Sequence, residues 1–498
     1  MEPLCDQGAV ELTQLMAKRA ISPVELMESC LARIGSVNPA VNAVVTLDEG
    51  AARAQAKQAE AAIMRGEPLA PLHGLPVLIK DTQDTAGLRT TYGSPLFAEH
   101  VPAADQGSVA RLRAAGAIIF GKTNTPEWAA GGNTRNPVHG ATGNPFDPMK
   151  SAAGSSGGSA VALACGMAPL ASGSDTGGSL RNPAGYAGIV GMRPSYGLVA
   201  SEKRLQGWSS LSTDGPMARN VADAALMLSV MASDDARDPL AYTLPGEPVR
   251  SRSERWRSPQ PADLRKLRVA FTADFGFAPT EQAIRRAFRK RVAAITPLVA
   301  ETRDGAPDCE GADDAFAVLR AALFLATHGK TYRERRDMLG PNVRANVEEG
   351  LAYHLTDYAR AATVQTKIYR AYQSFFAGCD VLISPTITLS PRPWSELYPA
   401  EIDGAPTKSY FHWLALAYAV TLAGHPALSL PLGLDEAGML FGLQIVGPRG
   451  GDAIVLSVAL ALEQAFAGDA ELSRPKPDIA KLASSPPLSA APDFRAWG

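Results

Sequence analysis

Several features are scarce in this 498-residue chain, and each scarcity excludes a class of protein. The five cysteines are widely spaced and form no Cys-x-x-Cys pair, which argues against a disulfide framework and a zinc site. The formal net charge is only −2, so no broad basic field points to nucleic acid. No uncharged apolar run reaches the roughly 18 residues of a membrane span. No His-Glu-x-x-His motif or other tight ligand cluster indicates metal catalysis.

The start of the sequence also lacks the marks of a secretory signal. Residues 1–6 have neither a basic beginning nor an apolar core. The hydrophobic fraction, 46%, is ordinary for a globular protein. We therefore expect a cytoplasmic enzyme with free, buried thiols, without cofactor or metal, and without a nucleic-acid or membrane partner.

Two glycine-dense turns stand out between residues 152 and 191. The first contains Ser155, and the second contains Ser179, which lies 24 positions later. Glycine lets a backbone take a positive φ and bring its N–H groups close to a ligand. The Ala-rich run between the turns suits a helix packed tightly against its neighbours. The predicted order is glycine turn, buried helix, short strand and second glycine turn, which would return Ser179 close to Ser155.

A third motif lies upstream and ends a short apolar strand. The three motifs read His73-Gly74-Leu75-Pro76-Val77-Leu78-Ile79-Lys80, Gly154-Ser155-Ser156-Gly157-Gly158-Ser159 and Asp175-Thr176-Gly177-Gly178-Ser179-Leu180-Arg181. In this order and spacing they resemble the signature of the amidase signature family, over most of 8–232 and again at 422–464. The resemblance implies a Ser-cisSer-Lys hydrolase. Ser179 would be the nucleophile, Ser155, in a cis peptide, the proton relay, and Lys80 the base.

The chemistry of these three residues is consistent with that implication. A serine hydroxyl needs a base within hydrogen-bond reach, and a lysine serves as the base only when neutral. Because Lys80 follows an apolar strand, burial should lower its pKa, with the adjacent Asp81 opposing the shift. Ser179 would attack the acyl carbon while Ser155 passes its proton to Lys80. The same relay would protonate the departing nitrogen, and water would then hydrolyse the acyl-enzyme.

Neighbouring residues are predicted to complete the site. The second turn can aim backbone N–H groups at a developing oxyanion, from Thr176, Gly177, Gly178 and Ser179. Supporting residues, by the resemblance, are Ser156, Asp175 and Arg181. The candidate pocket residues are Trp128, Ala129, Ala130, Gly131, Gly132 and Gln206, with the loops 203–210 and 391–413 as further walls. The small residues at 129–132 would either leave room beside Ser179 or form a tight loop with close packing.

Two further motifs suggest other chemistries. Residues 116–123 match the Walker A pattern letter for letter, but a predicted helix precedes them and the residues between the glycines form an apolar strand. Residues 154–158 match the Gly-x-Ser-x-Gly elbow of α/β-hydrolases, which would make Ser156 the nucleophile. That interpretation needs a partner histidine, and the available ones are His328, His354, His412 and His425, none in a telling context.

Alternating strand and helix patterns predict an α/β fold. The resemblance implies an α/β/α sandwich around a large mixed β-sheet, as one domain over 1–498. Within it we expect an N-terminal helical layer (8–70), a catalytic core (71–232), a variable helical insert with pocket loops (243–420), closing strands and a helix (421–466) and a loose tail (473–498). The closing strands are predicted at 421–432 and 441–446.

The function predicted from the resemblance is hydrolysis of an amide, anilide or carbamate, the last being a urethanase activity. The small-residue run favours a bulky or aryl-bearing small-molecule substrate. One alternative is a glutaminase subunit that delivers ammonia to a partner chain, although residues 125–135 lack the Phe-x-Met-Gly-Ser stretch of such subunits. Another is a non-catalytic binding protein with the same fold. The oligomeric state is not readable from the residues, and family habit implies a homodimer.

Overall fold

The computed structural model describes residues 3–241 and 256–497, so residues 243–255 of the predicted insert lie outside the described residues. The helices are α1 (Ala9–Ala17), α2 (Pro23–Val41), α3 (Glu49–Arg65), α4 (Gly107–Ala114), α5 (Gly157–Ala164), α6 (Arg181–Ala187), α7 (Val221–Met231), α8 (Gln282–Ile295), α9 (Ala312–Arg335), α10 (Pro341–Ala352), α11 (Leu355–Phe376), α12 (Ala415–Ala423), α13 (Asp452–Phe466) and α14 (Ile479–Ser484). The strands are β1 (Val44–Leu47), β2 (Pro76–Lys80), β3 (Ile118–Thr123), β4 (Arg135–Asn136), β5 (Gly140–Ala141), β6 (Leu170–Asp175), β7 (Val190–Arg193), β8 (Thr213–Ala218), β9 (Arg268–Phe271), β10 (Glu301–Asp304), β11 (Val381–Pro385), β12 (Glu401–Ile402), β13 (Ala405–Pro406), β14 (Ala427–Leu434) and β15 (Leu440–Val446).

Eleven strands form one mixed sheet in the order β1-β3-β2-β6-β8-β7-β14-β15-β11-β9-β10. Strand β2 runs parallel to both of its neighbours, β3 and β6, whereas the central strands from β6 to β11 pair antiparallel. Because β7 pairs with β14, the sheet joins the first half of the chain to the second.

Both faces of the sheet are covered by helices. In β2, Val77 and Ile79 enter a core that includes α4, α7, α8 and α13. Leu78, between them, enters a second core with α5 and α6, since side chains alternate along a strand. Farther along the sheet, α9, α11 and α12 pack into a third core. The predicted α/β/α arrangement around a large mixed sheet is confirmed.

The predicted strand at 421–432 is wrong in its first half. Helix α12 occupies Ala415–Ala423 and ends at Gly424, whose φ of 69° places it in the left-handed region. Strand β14 begins only at Ala427. The residues of α12 are buried on all sides, so their sequence has no helical period that distinguishes it from a strand.

The predicted loose tail is also wrong for the part that is described. Leu482 is buried in the core beside α2 and α5, and Leu488 and Phe494 pack against Trp394. These apolar residues are too sparse to form a period, so no pattern in the sequence indicates that the segment docks.

The composition bears on two other features of the described residues. The five cysteines are buried and free, as expected. No helix between residues 3–241 or 256–497 is long and apolar enough to cross a membrane.

Candidate active site

Lys80 is the last residue of β2 and is fully buried. Its Nζ donates hydrogen bonds to Ser155 Oγ at 2.7 Å and to Ser174 Oγ at 2.9 Å. Burial lowers the pKa of Lys80 to about 7, although the carboxylates of Asp214 and Asp175 act in the opposite direction. A large fraction of the amine is therefore neutral near pH 7, which a base requires.

The prediction that Asp81 opposes this pKa shift is wrong. The Asp81 carboxylate accepts hydrogen bonds from Thr91, from its N–H at 3.1 Å and its Oγ1 at 2.5 Å. The opposing charges are Asp214 and Asp175, from β8 and β6.

The sequence did not indicate two residues near Lys80, Ser174 and Asp214. Ser174 immediately precedes the motif that begins at Asp175. Asp214 was missed because it reaches the site only through the pairing of β8 with β6, opposite Ser174.

Ser155 lies in the turn that leads into α5, and the Gly154–Ser155 peptide bond is cis. The first turn of α5 packs closely against its surroundings. A Cβ on Gly157 would meet Thr134 Oγ1 at 2.2 Å, and a Cβ on Gly158 would meet the backbone nitrogen of Asn124 at 2.3 Å. These glycines therefore allow the helix to start where Ser155 reaches Lys80.

Ser179 lies in the turn between β6 and α6. The backbone N–H of Ser156 donates to the Ser179 carbonyl at 3.3 Å, which ties the two turns together. Ser155 and Ser179 line the same cavity, of about 270 Å³. Ser179 is half-buried, and its hydroxyl has no hydrogen-bond partner among the described residues, so it is available to a ligand. The predicted order of turn, helix, strand and turn is confirmed.

One of the four predicted oxyanion donors is directed elsewhere. The Gly178 N–H donates to Asp175 Oδ1 at 2.9 Å, which makes it unavailable to an oxyanion. The prediction for Gly178 is therefore corrected. The N–H groups of Thr176, Gly177 and Ser179 remain predicted donors.

The Asp175 carboxylate holds the turn that contains Ser179 through hydrogen bonds to its backbone. Besides Gly178, the carboxylate accepts from the Leu180 N–H at 3.2 Å and pairs with Arg181 at 2.9 Å and Arg193 at 3.1 Å. All three charged side chains are fully buried. Burial alone would raise the pKa of Asp175, but the two guanidinium groups outweigh it and hold that pKa well below its usual range. The sequence did not indicate Arg193, which lies on β7.

We expect Asp175→Asn to destabilise the fold strongly. The substitution leaves two buried guanidinium groups without their carboxylate, which typically costs about 3–5 kcal/mol in the free energy of unfolding. Asp235→Asn is the matched control, because its partner Arg237 is 68% exposed and such a pair contributes at most about 1 kcal/mol. Chemical denaturation of both variants makes the comparison. Equal losses in the two variants would contradict the role of Asp175.

The structure divides the predicted pocket residues into two groups. Trp128, Ala129 and Gln206 line the cavity that contains Ser179. Ala130, Gly131 and Gly132 do not.

The small residues at 130–132 leave room for the protein's own side chains. Ala130 packs against Leu339 and Val343. A Cβ on Gly132 would meet the Trp413 ring at 2.3 Å. Close packing is therefore the interpretation that holds for residues 130–132, and of this run only Ala129 lines the cavity. Neighbours distant in sequence fill the space.

Sequence reasoning missed the wall that completes the cavity. It is one face of α9, formed by Arg320, Leu323, Phe324, Thr327 and His328. Their spacing of three and four residues is that of one helical face. The sequence predicts a helix here, but which face meets the cavity depends on how α9 docks. In the 391–413 loop, Trp394, Tyr410 and Trp413 are buried in cores and do not line this cavity.

The two competing motifs find no support. Ser156 precedes α5, and its Oγ interacts with the backbone of Ser174 at 3.4 Å. No histidine in the described part of the chain hydrogen-bonds to it, as an elbow nucleophile would need. In the Walker-like stretch, 118–123 is the buried strand β3, which follows α4, so it is not a phosphate loop.

Comparisons with known proteins give further similarities. A family model described as Amidase matches residues 25–456. A glutamyl-tRNA(Gln) amidotransferase subunit from Caldanaerobacter subterraneus subsp. tengcongensis is 34% identical over 488 residues, covering 93% of this chain and 96% of that protein. An acylamidase of Rhodococcus erythropolis is 32% identical, covering 92% and 94%. The crystal structure of a bacterial aryl acylamidase of the amidase signature family superposes with a TM-score of 0.86 at 26% identity, covering 96% of this chain and 99% of that one.

Proposed function

This chain belongs to the amidase signature family, and from that premise we propose that it hydrolyses the carbon–nitrogen acyl bond of a small-molecule amide, anilide or carbamate through Ser179, Ser155 and Lys80. The observation that carries the proposal is the 2.7 Å hydrogen bond between Lys80 Nζ and Ser155 Oγ, beside the cavity that Ser179 lines. A base with a lowered pKa, a relay hydroxyl and a hydroxyl that has no hydrogen-bond partner among the described residues thus occur together.

The proposed acylation begins with attack of Ser179 Oγ on the acyl carbon. The Ser179 proton passes to Ser155 Oγ, and the Ser155 proton passes to the neutral Lys80 Nζ. As the carbon–nitrogen bond breaks, the ammonium of Lys80 returns one proton through Ser155 to the leaving nitrogen. Water then attacks the ester of Ser179 through the same relay and releases the acid.

The surroundings support these proton transfers. Ser174 Oγ, at 2.9 Å from Lys80 Nζ, holds the amine in place and accepts a hydrogen bond when it is protonated. Asp175 fixes the turn whose remaining N–H groups face the oxyanion in this proposal, and one such donor contributes roughly 100-fold to 1000-fold in rate. Ser156 and Arg181 act by holding the two turns.

Both halves of the chain contribute to the proposed catalytic domain. Arg181, directly after the second turn, donates to Gln444 Oε1 at 2.6 Å and to the Ala417 carbonyl at 3.0 Å. These partners lie on β15 and α12. Since the nucleophile turn is fixed from the C-terminal half, we propose that the chain works as one domain.

Glutamine hydrolysis for a partner chain is a second candidate function, because a relative with 34% identity is a subunit of a glutamyl-tRNA(Gln) amidotransferase. Glutamine carries an α-ammonium, which a site would balance with a carboxylate. Among the described residues that line the cavity there is no Asp or Glu. The cavity therefore favours a substrate without a cationic group. Two assays decide between glutamine hydrolysis and hydrolysis of other amides. One measures ammonia release from glutamine and the other measures 4-nitroaniline release from acyl 4-nitroanilides, each with Ser179→Ala as the blank.

We expect the rate to depend on pH through Lys80. Below the pKa of about 7 the amine is protonated and cannot accept a proton, so kcat/KM should fall about tenfold per pH unit. Above that pKa the amine is neutral, and kcat/KM should level off. A profile from about pH 5 to about pH 9 with a substrate that does not titrate makes the measurement. A flat profile across neutrality would contradict the role of Lys80 as the base.

A further inference from the structure

The cavity that Ser179 lines has basic side chains in its wall. They are Lys203, Arg204 and Arg320. Lys203 forms an ion pair with Asp84, and Arg204 pairs with Asp238 at 2.8 Å. The protein itself therefore balances these two charges.

Arg320 has no such partner in the part of the chain that the structure describes. Among the described residues, no carboxylate oxygen lies within 4.0 Å of its nitrogens. Glu349 on α10 interacts with Arg320 electrostatically without forming an ion pair. Burial raises the pKa of Glu349, and the charge of Arg320 offsets this only in part. A buried cation without a paired anion is costly, so this position is suited to an anion supplied from outside.

Neutral groups fix the orientation of the Arg320 guanidinium. The side chain is 6% exposed. Its Nε donates to Asn346 Oδ1 at 3.1 Å, and Nη2 donates to the hydroxyl of Tyr410. The group also lies over the ring of Phe324, 4.8 Å from its centroid. Nη1 has no hydrogen-bond partner in the described part of the chain, so its donors remain for a ligand.

We propose that Arg320 determines specificity by binding a carboxylate on the substrate, so that the preferred substrate is an amide or anilide carrying a carboxylate away from the scissile bond. The proposal rests on the function proposed for Ser179, which lines the same cavity. A carboxylate matches the guanidinium because its two oxygens accept from Nη1 and from the second proton of Nη2. The aromatic rings of Trp128 and Phe324 would contact the apolar part of such a substrate.

The test compares matched substrates with and without the negative charge. On the acyl side, glutaryl 4-nitroanilide carries a carboxylate and pentanoyl 4-nitroanilide, of the same chain length, lacks it. Acetamidobenzoate and acetanilide do the same on the leaving side. In the wild-type enzyme, kcat/KM for the carboxylate member of at least one pair should be higher by roughly 10-fold to 100-fold, the scale of a charged hydrogen-bonded contact.

Three variants assign that preference to Arg320. In Arg320→Met the ratio within the pair should fall to about one, and in Arg320→Lys, which keeps the charge, part of it should remain. Lys203→Met is the matched control, since this lysine also lines the cavity but is paired with Asp84, and its ratio should stay near the wild-type value. Fluorophosphonate labelling of Ser179 in each variant reports whether the nucleophile is intact.

The outcomes separate this inference from the proposed function. Equal kcat/KM within both pairs in wild-type enzyme, with Ser179 labelled, would overturn the role of Arg320 and leave the hydrolase proposal standing. A preference that survives in Arg320→Met would also overturn it. Absence of both turnover and labelling in folded wild-type protein would overturn the proposed function itself.

Discussion

Turnover is expected to fall by a factor on the order of 10⁴ to 10⁶ in Ser179→Ala, because the substitution removes the atom that forms the acyl-enzyme in the proposed mechanism. The fold should be unaffected. The Ser179 hydroxyl makes no hydrogen bond within the described part of the chain, and an alanine fits the half-buried position. Steady-state hydrolysis of a 4-nitroanilide, with circular dichroism as the check on folding, measures the effect.

Ser156→Ala is the matched control for Ser179→Ala. Ser156 lies in the neighbouring turn, and its Oγ makes only long contacts, at 3.4 Å, to the backbone of Ser174. Its loss should reduce turnover far less than the loss of Ser179. The reverse result, an inactive Ser156→Ala beside an active Ser179→Ala, would support the elbow interpretation.

Lys80→Met should reduce turnover by a factor on the order of 10² to 10⁴, the usual contribution of a general base. Methionine fills a similar volume in the buried site but cannot take the Ser155 proton. The loss of Lys80 should also slow acylation, which a stopped-flow measurement of the first turnover detects.

Lys122→Met provides the control for removing a buried lysine. Lys122 is also fully buried, on the adjacent strand β3, and burial lowers its pKa to about 8. Its Nζ donates to the Gln83 carbonyl at 2.5 Å and to Thr85 Oγ1 at 2.8 Å, away from the reacting serines. Turnover per folded molecule should therefore remain close to the wild-type value. Equal losses in the two lysine variants would show that burial, not base catalysis, explains the effect of Lys80→Met.

The sequence was most informative where the proposed function depends on residues close together in the chain. The glycine turns around Ser155 and Ser179 are local, and so is the apolar strand that ends at Lys80. Their order along the chain was enough to predict the layout of turns, helix and strand. The α/β class also follows from local alternation of strand and helix patterns, whereas the α/β/α sandwich around a large mixed sheet was implied by the family resemblance.

The sequence was least informative where distant segments meet. The α9 wall, with Arg320, depends on how a helix docks across the cavity. The space at Gly132 is filled by Trp413, which lies far away in the chain. The direction of the Gly178 N–H is set by the Asp175 carboxylate, which Arg193 from another strand helps to hold. No periodic pattern or motif in the sequence indicates any of these contacts.

In the proposed mechanism, Ser179 is a nucleophile activated through Ser155 by Lys80. The most direct test is labelling with a fluorophosphonate probe, with the modified peptide mapped by mass spectrometry in wild-type, Ser179→Ala and Lys80→Met protein. We expect a label on Ser179 in wild-type protein, no label in Ser179→Ala and much slower labelling in Lys80→Met. A label on Ser156 in wild-type protein, or no label on folded protein that also lacks turnover, would contradict it.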